Sequence, residues 1–351
     1  MKQQENDVAH ASDKTVRPDL SQKGPSLAKR LVHDHFIWGL LLLTMFGATI
    51  ANASFLSMGN IAGVLLAAAP LGCLVLAQST VLLTGNFDLS IEANMIFVAI
   101  VGGLIMAPPE TVEAQLAASQ WGLPWPWPVA LAVMLAVSSL IGFVNGTLIV
   151  WFRMNNFMTT LSVMIVLEGL ALVVGEARNI FGIPAGFRFV GTAKFVGVPA
   201  AAFFLILLYV LMHLMLTRTV FGRKLYAVGS NREASRAAGI NDKRVVVSAY
   251  VLSGFLAGVA SFVLVGRLGT ASAGISDGNL FLAFAAAVIG GVSLFGGRGT
   301  APGALGGLLL ITVIHNAMNL AQIPANYIKV VSGGVIMLAV LVDALRTERT
   351  E

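Results

Sequence analysis

The chain has 351 residues, 57% of them hydrophobic and 11% charged, with a formal net charge of +5. Soluble domains carry about 25% charged residues, so this composition excludes an ordinary soluble enzyme or binding module and indicates an integral membrane protein. The single cysteine, Cys73, lies in an apolar run and excludes a disulfide framework.

Residues 1–34 are polar, with six Lys/Arg and five Asp/Glu, and no apolar core follows a short basic start. A cleaved signal peptide is therefore not expected. Residues 1–35 read as a disordered cytoplasmic tail leading into an uncleaved first span. No charge then occurs between Asp34 and Asp88, a gap of 53 residues. A helix rises about 1.5 Å per residue and crosses the hydrocarbon with roughly 20 residues, so this gap holds two spans.

Further uncharged runs predict ten spans, at about 36–57, 61–84, 89–107, 128–152, 155–175, 197–217, 245–266, 279–295, 301–320 and 327–343. The membrane domain is expected over 36–345, with a C-terminal tail at 346–351. With the N-terminus inside, the interior segments collect 17 of the 22 Lys and Arg residues, leaving Arg178, Arg188, Lys194, Arg267 and Lys329 outside. That bias predicts cytoplasmic termini. The stretch Trp121–Pro128 suits an outer interface.

Gly142 and Gly146 in the fourth span echo Gly303 and Gly307 in the ninth, which runs the opposite way. Two readings fit: an inverted internal repeat, or close helix packing through small residues, which also covers Gly254 and Gly258.

Polar groups inside spans are functional candidates because lipid does not solvate them. Asp88 stands just before the third span, where it can accept from the first amides. Glu92, four residues on and on the same face, either lines a cavity or titrates. Glu168 lies in mid-span, with a buried structural hydrogen bond or pathway lining as the alternatives. His315, Asn316 and Asn319 share a face of the ninth span. Such neutral groups suit a polyhydroxylated solute, and hydrogen bonds between helices explain them equally. Asn145, Asn156 and Gln78 invite the same two readings, and His213 reads as interfacial.

The long interior connection runs from Thr219 to Arg244. Ser230 followed by Glu233 predicts a capping box, and Gly239 suits the left-handed residue that ends a helix. Between them lies a helix of about two turns, too short to stand alone in water. Ala234, Ala237 and Ala238 give it a small face, while Arg232 and Arg236 place positive charge on one side. Either a partner surface receives it or it is an ordinary basic loop. No Gly-Lys dipeptide occurs, which excludes a phosphate-binding loop. No metal-ligand spacing is present either, so an enzyme is not expected.

Three segments carry a resemblance. Gly222–Asn241 (GRKLYAVGSNREASRAAGIN) resembles the coupling-helix region of ribose-type ABC permeases, Thr84–Ser90 (TGNFDLS) their TGGIDLS segment, and Ala286–Thr300 (AAVIGGVSLFGGRGT) their GGTSLFGGRG segment. Val342-Asp343 ends the last span as in that family, and the resemblance covers about 36–345. It implies an all-α polytopic permease of the ribose/vitamin B12-like type, pairing with itself or a paralogue in the bacterial inner membrane. A periplasmic binding protein would deliver a monosaccharide.

The resemblance also implies that loop 219–244 docks into a separate ATPase subunit, which holds the ATP and Mg. Ser230, Asn231, Arg232, Glu233, Ala234, Ala237 and Gly239 are the expected contacts. No cofactor on this chain and no nucleic-acid partner are expected. Asn86, Asp88, Glu92, Asn145, Glu168, His315, Asn316 and Asn319 are the expected pathway residues. Asn86 and Phe87 replace the family's Gly and Ile, and Glu92 a small residue, which leaves the solute open. The alternative is an ion-coupled secondary transporter with Asp88, Glu92 and Glu168 as carriers. A capped loop helix distinguishes the two, because a self-sufficient carrier does not need one.

Overall fold

A computed structural model describes residues 27–108, 125–276, 278–324, 327–328, 330–334, 337 and 341. Residues 1–26 of the tail expected at 1–35, Trp121–Pro124, about half of the tenth span including Val342-Asp343, and the C-terminal tail lie outside them; residues 27–35, also expected in the N-terminal tail, instead begin a helix. The chain divides after Phe36 into two compact units, and the larger, Ile37–Glu351, contains every candidate site residue.

Each of the first nine predicted spans contains an apolar helix, not always of the predicted length. In chain order these are α1 (Leu27–Ala51), α2 (Met58–Leu82), α3 (Ile91–Met106), α4 (Trp127–Val150) and α5 (Asn156–Val174). A short amphipathic helix, α6 (Ala185–Thr192), and a two-residue hairpin (β1 Lys194–Phe195, β2 Val198–Pro199) follow. Then come α7 (Ala200–Arg218), α8 (Val220–Ser230), α9 (Arg232–Ala237), α10 (Asp242–Leu268), α11 (Asn279–Ile289) and α12 (Ala301–Leu320). Six of these helices are long and apolar enough to cross a membrane.

Two helices form the centre. In α2 every residue from Ala68 to Leu82 is buried, and in α10 every residue from Leu256 to Gly266. A helix apolar all round belongs inside the bundle. By contrast α4 buries a single stripe, Ala130, Met134, Ser138, Gly142, Asn145 and Gly146, at helical spacing. α7 likewise buries Leu205, Tyr209, Met212 and Leu216, and its Tyr209 hydroxyl donates to the Gly72 carbonyl of α2 at 3.2 Å.

Close packing explains the glycines. A β-carbon on Gly142 or Gly146 would strike the α10 backbone at Tyr250 and Val247, and one on Gly254 the Ser138 carbonyl. Gly258 rests on the Ser138 side chain, while Gly303 and Gly307 meet the carbonyls of Gly290 and Ala286. The Ser138 hydroxyl donates to the Gly254 carbonyl across the same α4–α10 seam. Small residues let backbones approach where lipid gives no hydrophobic drive for association.

Two expectations need correction. The eighth predicted span, 279–295, is helical only over 11 residues, about 16 Å. The chain then turns, with left-handed backbone at Gly291, Gly296 and Gly297 that glycine adopts without strain. The loop 219–244 holds two helices rather than one. Asn231, not Ser230, caps the second, its Oδ1 accepting from the Ala234 amide at 2.9 Å. Asparagine caps as well as serine does, and the extended backbone of Asn231 places it to do so. Ser230 instead ends α8, and no described residue hydrogen-bonds the Glu233 side chain. Gly239 has the expected left-handed conformation, φ +77°.

Candidate functional site

The three sequence motifs meet at one junction. The Gly297 amide donates to the Leu83 carbonyl at 3.0 Å, and Arg232 Nη2 donates to the Thr84 carbonyl at 3.2 Å. Gly229 packs against both the Leu83 carbonyl and the Gly297 amide, leaving no room for a side chain. Gly296 lies against Gly85, Gly297 against Ser230, and the Tyr226 hydroxyl donates to the Gly299 carbonyl at 2.7 Å. Burial raises the Tyr226 pKa, so the phenol keeps its donor proton at neutral pH.

Around this junction lies a cavity of about 1180 Å³, lined among others by Asn86, Arg153, Arg232, Arg236, Asp242 and Lys243. Arg236 clasps Asp242, the first residue of α10, through two guanidinium nitrogens at 2.9 and 2.7 Å. The arginines expected to offer charge to a partner are thus engaged within the chain. α9 itself is exposed at every residue except Ser235, so Asn231, Glu233, Ala234 and Ala237 face outward. Phe295 is also 64% exposed beside it.

From Thr84 the backbone runs through an irregular segment, 83–90, between α2 and α3. Asp88 is 2% exposed; its Oδ1 accepts from the Ser90 amide at 3.0 Å and hydroxyl at 2.7 Å, and its Oδ2 from the Ser253 hydroxyl at 3.2 Å. The amide it accepts from belongs to Ser90, the residue before α3, so Asp88 braces the turn into the helix and does not cap the helix's own first amides as expected. Asn145 donates to the Ser90 hydroxyl at 2.8 Å, Tyr250 to the Phe87 carbonyl at 2.6 Å, and Asn156 to Asn86 Oδ1 at 3.4 Å. The segment is thereby tied to α4, α10 and α5. Asp88 and Asn145 are buried within the chain, whereas Asn86 borders the large cavity.

Glu92 serves a purpose that local sequence does not reveal. Its carboxylate accepts from the Ser276 hydroxyl at 2.6 Å and from the Asn279 and Leu280 amides, each at 2.9 Å. It therefore caps α11 from α3, satisfying two orphan amides where the helix dipole favours an anion.

Glu168 is exposed on α5, which buries only Thr159, Thr160, Leu167 and Ala171. The expected buried hydrogen bond is absent among the described residues. On α12, Asn316 exchanges reciprocal 2.9 Å bonds with Asn60, His315 Nε2 lies 2.9 Å from the Ser332 hydroxyl, and Asn319 is exposed. All three border a second cavity of about 390 Å³, as their shared helix face predicts.

Residues 60–340 match the family described as branched-chain amino acid transport system / permease component. The chain belongs to this family. It is similar to the ribose import permease protein of Bacillus subtilis, 35% identical over 308 residues, covering 87% of this chain and 90% of the relative. It is also similar to the L-arabinose ABC transporter permease protein of Azospirillum brasilense, at 30% over 88% of this chain and 86% of the relative. A third relative is the D-allose transport system permease protein of Escherichia coli, at 29% over 87% and 89%. No solved structure matches.

This permease is an all-α, multi-pass membrane protein, and a transport subunit rather than an enzyme. Sequence reading of the permease missed Tyr226, Tyr250 and Ser253 at the junction network and Arg153 and Lys243 in the large cavity. Tyrosine and serine inside an apolar run are the signal that could have marked Tyr250 and Ser253, whereas Tyr226 sits in the basic loop and carries no such mark. Among the described residues no group of His, Cys, Asp and Glu gathers to hold a metal.

Proposed function

We propose that this permease, paired with a second permease chain, forms the membrane path of an ATP-driven importer for a monosaccharide or related polyol. It sits in the bacterial inner membrane with both termini cytoplasmic. A periplasmic binding protein delivers the solute, and two ATPase subunits, carrying the ATP and Mg, grip the 219–244 loops. The names of the ribose, L-arabinose and D-allose relatives support the solute class.

The observation that carries the reading is the bond from Arg232 to Thr84, which joins an exposed loop helix to a break in the membrane-spanning bundle. Closure of the ATPase dimer pushes α9. Arg232 and the Gly297–Leu83 bond pass that displacement to segment 83–90, and the Asp88 network spreads it to α4 and α10. Glu92 carries it on from α3 to α11. Glycine-tight contacts make each joint stiff, so the elements move as packed units rather than deforming. Glu168, a carboxylate on an exposed apolar helix, faces the second permease and the solute route, since lipid disfavours it.

The test is uptake into proteoliposomes holding the permease, its ATPase and its binding protein, with D-ribose, L-arabinose and D-allose as probes. ATP on the ATPase side supports uptake of at least one, with no ion gradient applied. Uptake driven by a proton or sodium gradient without the ATPase overturns the proposal.

A further inference from the structure

The 390 Å³ cavity lies at the end of the bundle opposite the motif junction. Its rim comes from the starting half of α2 (Gly63) and the finishing ends of α10 (Arg267) and α12 (Asn319), whose other ends lie at or near the junction. Its volume is in the range of small-molecule pockets, and its walls are mixed. Val64, Leu71 and Ile311 supply apolar surface, and Gly63 leaves open space where a side chain would project.

The polar groups differ in how far they are already committed. His315, Asn316 and Thr312 are bonded to Ser332, Asn60 and the Leu308 carbonyl. The α11 amides beside the cavity are taken by Glu92. Arg267 is half-buried, and among the described residues no carboxylate lines the cavity with it and no hydrogen bond or ion pair engages its side chain. The Asn319 side chain, on the rim, likewise has no hydrogen bond among the described residues.

A half-buried guanidinium without an acceptor is costly. Its planar fork of donors matches the oxygens of a phosphate, and a neutral sugar would leave its charge uncompensated. We propose that this cavity binds an organic phosphate, with Arg267 taking two of its oxygens and Asn319 donating to a third. The apolar wall takes the carbon skeleton of the ester. Two sources share that chemistry: a phospholipid headgroup in the adjoining leaflet and a water-soluble phosphate ester. The site does not depend on which solute the permease carries.

Native mass spectrometry of delipidated permease, titrated with phosphatidylglycerol, glycerol 3-phosphate and diacylglycerol, tests the assignment. Wild type binds one of the two phosphates at least tenfold more tightly than Arg267→Gln does, and Arg267→Lys recovers part of the loss. Diacylglycerol shows no such difference. Phosphatidylglycerol as the sensitive probe assigns the lipid source, and glycerol 3-phosphate the soluble one. If Arg267→Gln is not monodisperse, the rim variant Asn319→Leu replaces it, with an expected several-fold loss. Equal phosphate binding by wild type and variant, or diacylglycerol binding as tight as either phosphate, overturns the proposal.

Discussion

Arg232 and Thr84 stand 148 residues apart in the chain, yet the guanidinium of one donates to the carbonyl of the other at 3.2 Å. One partner sits on an exposed loop helix and the other opens the irregular segment inside the bundle. A push on the loop therefore reaches the membrane-spanning helices through a hydrogen bond rather than through the length of α10.

Arg232→Ala removes that bond but leaves the exposed Ala234 and Ala237 face intact. A single such bond contributes about 0.5–1.5 kcal/mol, too little to unfold the protein. The variant is expected to retain its ATPase subunit while sugar uptake per ATP hydrolysed falls several-fold. Parallel measurement of uptake and hydrolysis in proteoliposomes checks this. An unchanged ratio contradicts it.

Gly142 and Gly169 separate packing from exposure. A methyl group on Gly142 would overlap the Tyr250 carbonyl, whereas nothing lies within 4 Å of one on Gly169. Gly142→Ala is expected to cost about 1–3 kcal/mol through overpacking, and Gly169→Ala to be near neutral. Thermal melting in detergent, followed by size-exclusion fluorescence, distinguishes them.

Glu92 acts as a structural cap. Glu92→Ala leaves the Asn279 and Leu280 amides without acceptors and is expected to destabilise by about 1–3 kcal/mol. Glu92→Gln keeps an acceptor oxygen and is expected to melt nearer wild type, with ATP-driven uptake retained. Loss of uptake in Glu92→Gln at unchanged melting temperature would point instead to an ion-carrying carboxylate.

Glu168 reports on the second chain. Placed on the face toward the other permease, Glu168→Cys is expected to form oxidant-dependent dimers in membranes, and Phe203→Cys, on exposed α7, none. Denaturing gels without reductant show the result. Dimers from both positions would mean collision rather than a specific seam.

The first nine apolar helices were legible because a run of about 20 residues without charge rarely forms anything but a membrane span. Where sequence misled, a long-range partner or a backbone conformation decided. Residues 290–295 are mostly apolar or glycine and read as span, but left-handed glycines turn the chain there. The Ser230–Glu233 spacing fits a capping box, yet Asn231 sits one residue closer to the helix and competes successfully. Spacing places Glu92 on a face of α3, but the amides it caps lie more than 180 residues away. A mid-span carboxylate such as Glu168 is expected to be buried, and a single chain does not bury it. The shared face of His315, Asn316 and Asn319 was readable from helical spacing alone.

The most direct measurement is co-purification of the ATPase with wild-type permease, Glu233→Arg and Arg232→Ala from detergent-solubilised membranes. Glu233 is exposed on α9 with no hydrogen bond from a described residue, so reversing its charge alters the docking face without breaking an internal hydrogen bond. Wild type and Arg232→Ala are expected to bring the ATPase with them, and Glu233→Arg to lose it. Full retention by Glu233→Arg, or a wild-type permease that purifies alone and still moves solute down an ion gradient, would contradict the coupling role of α9.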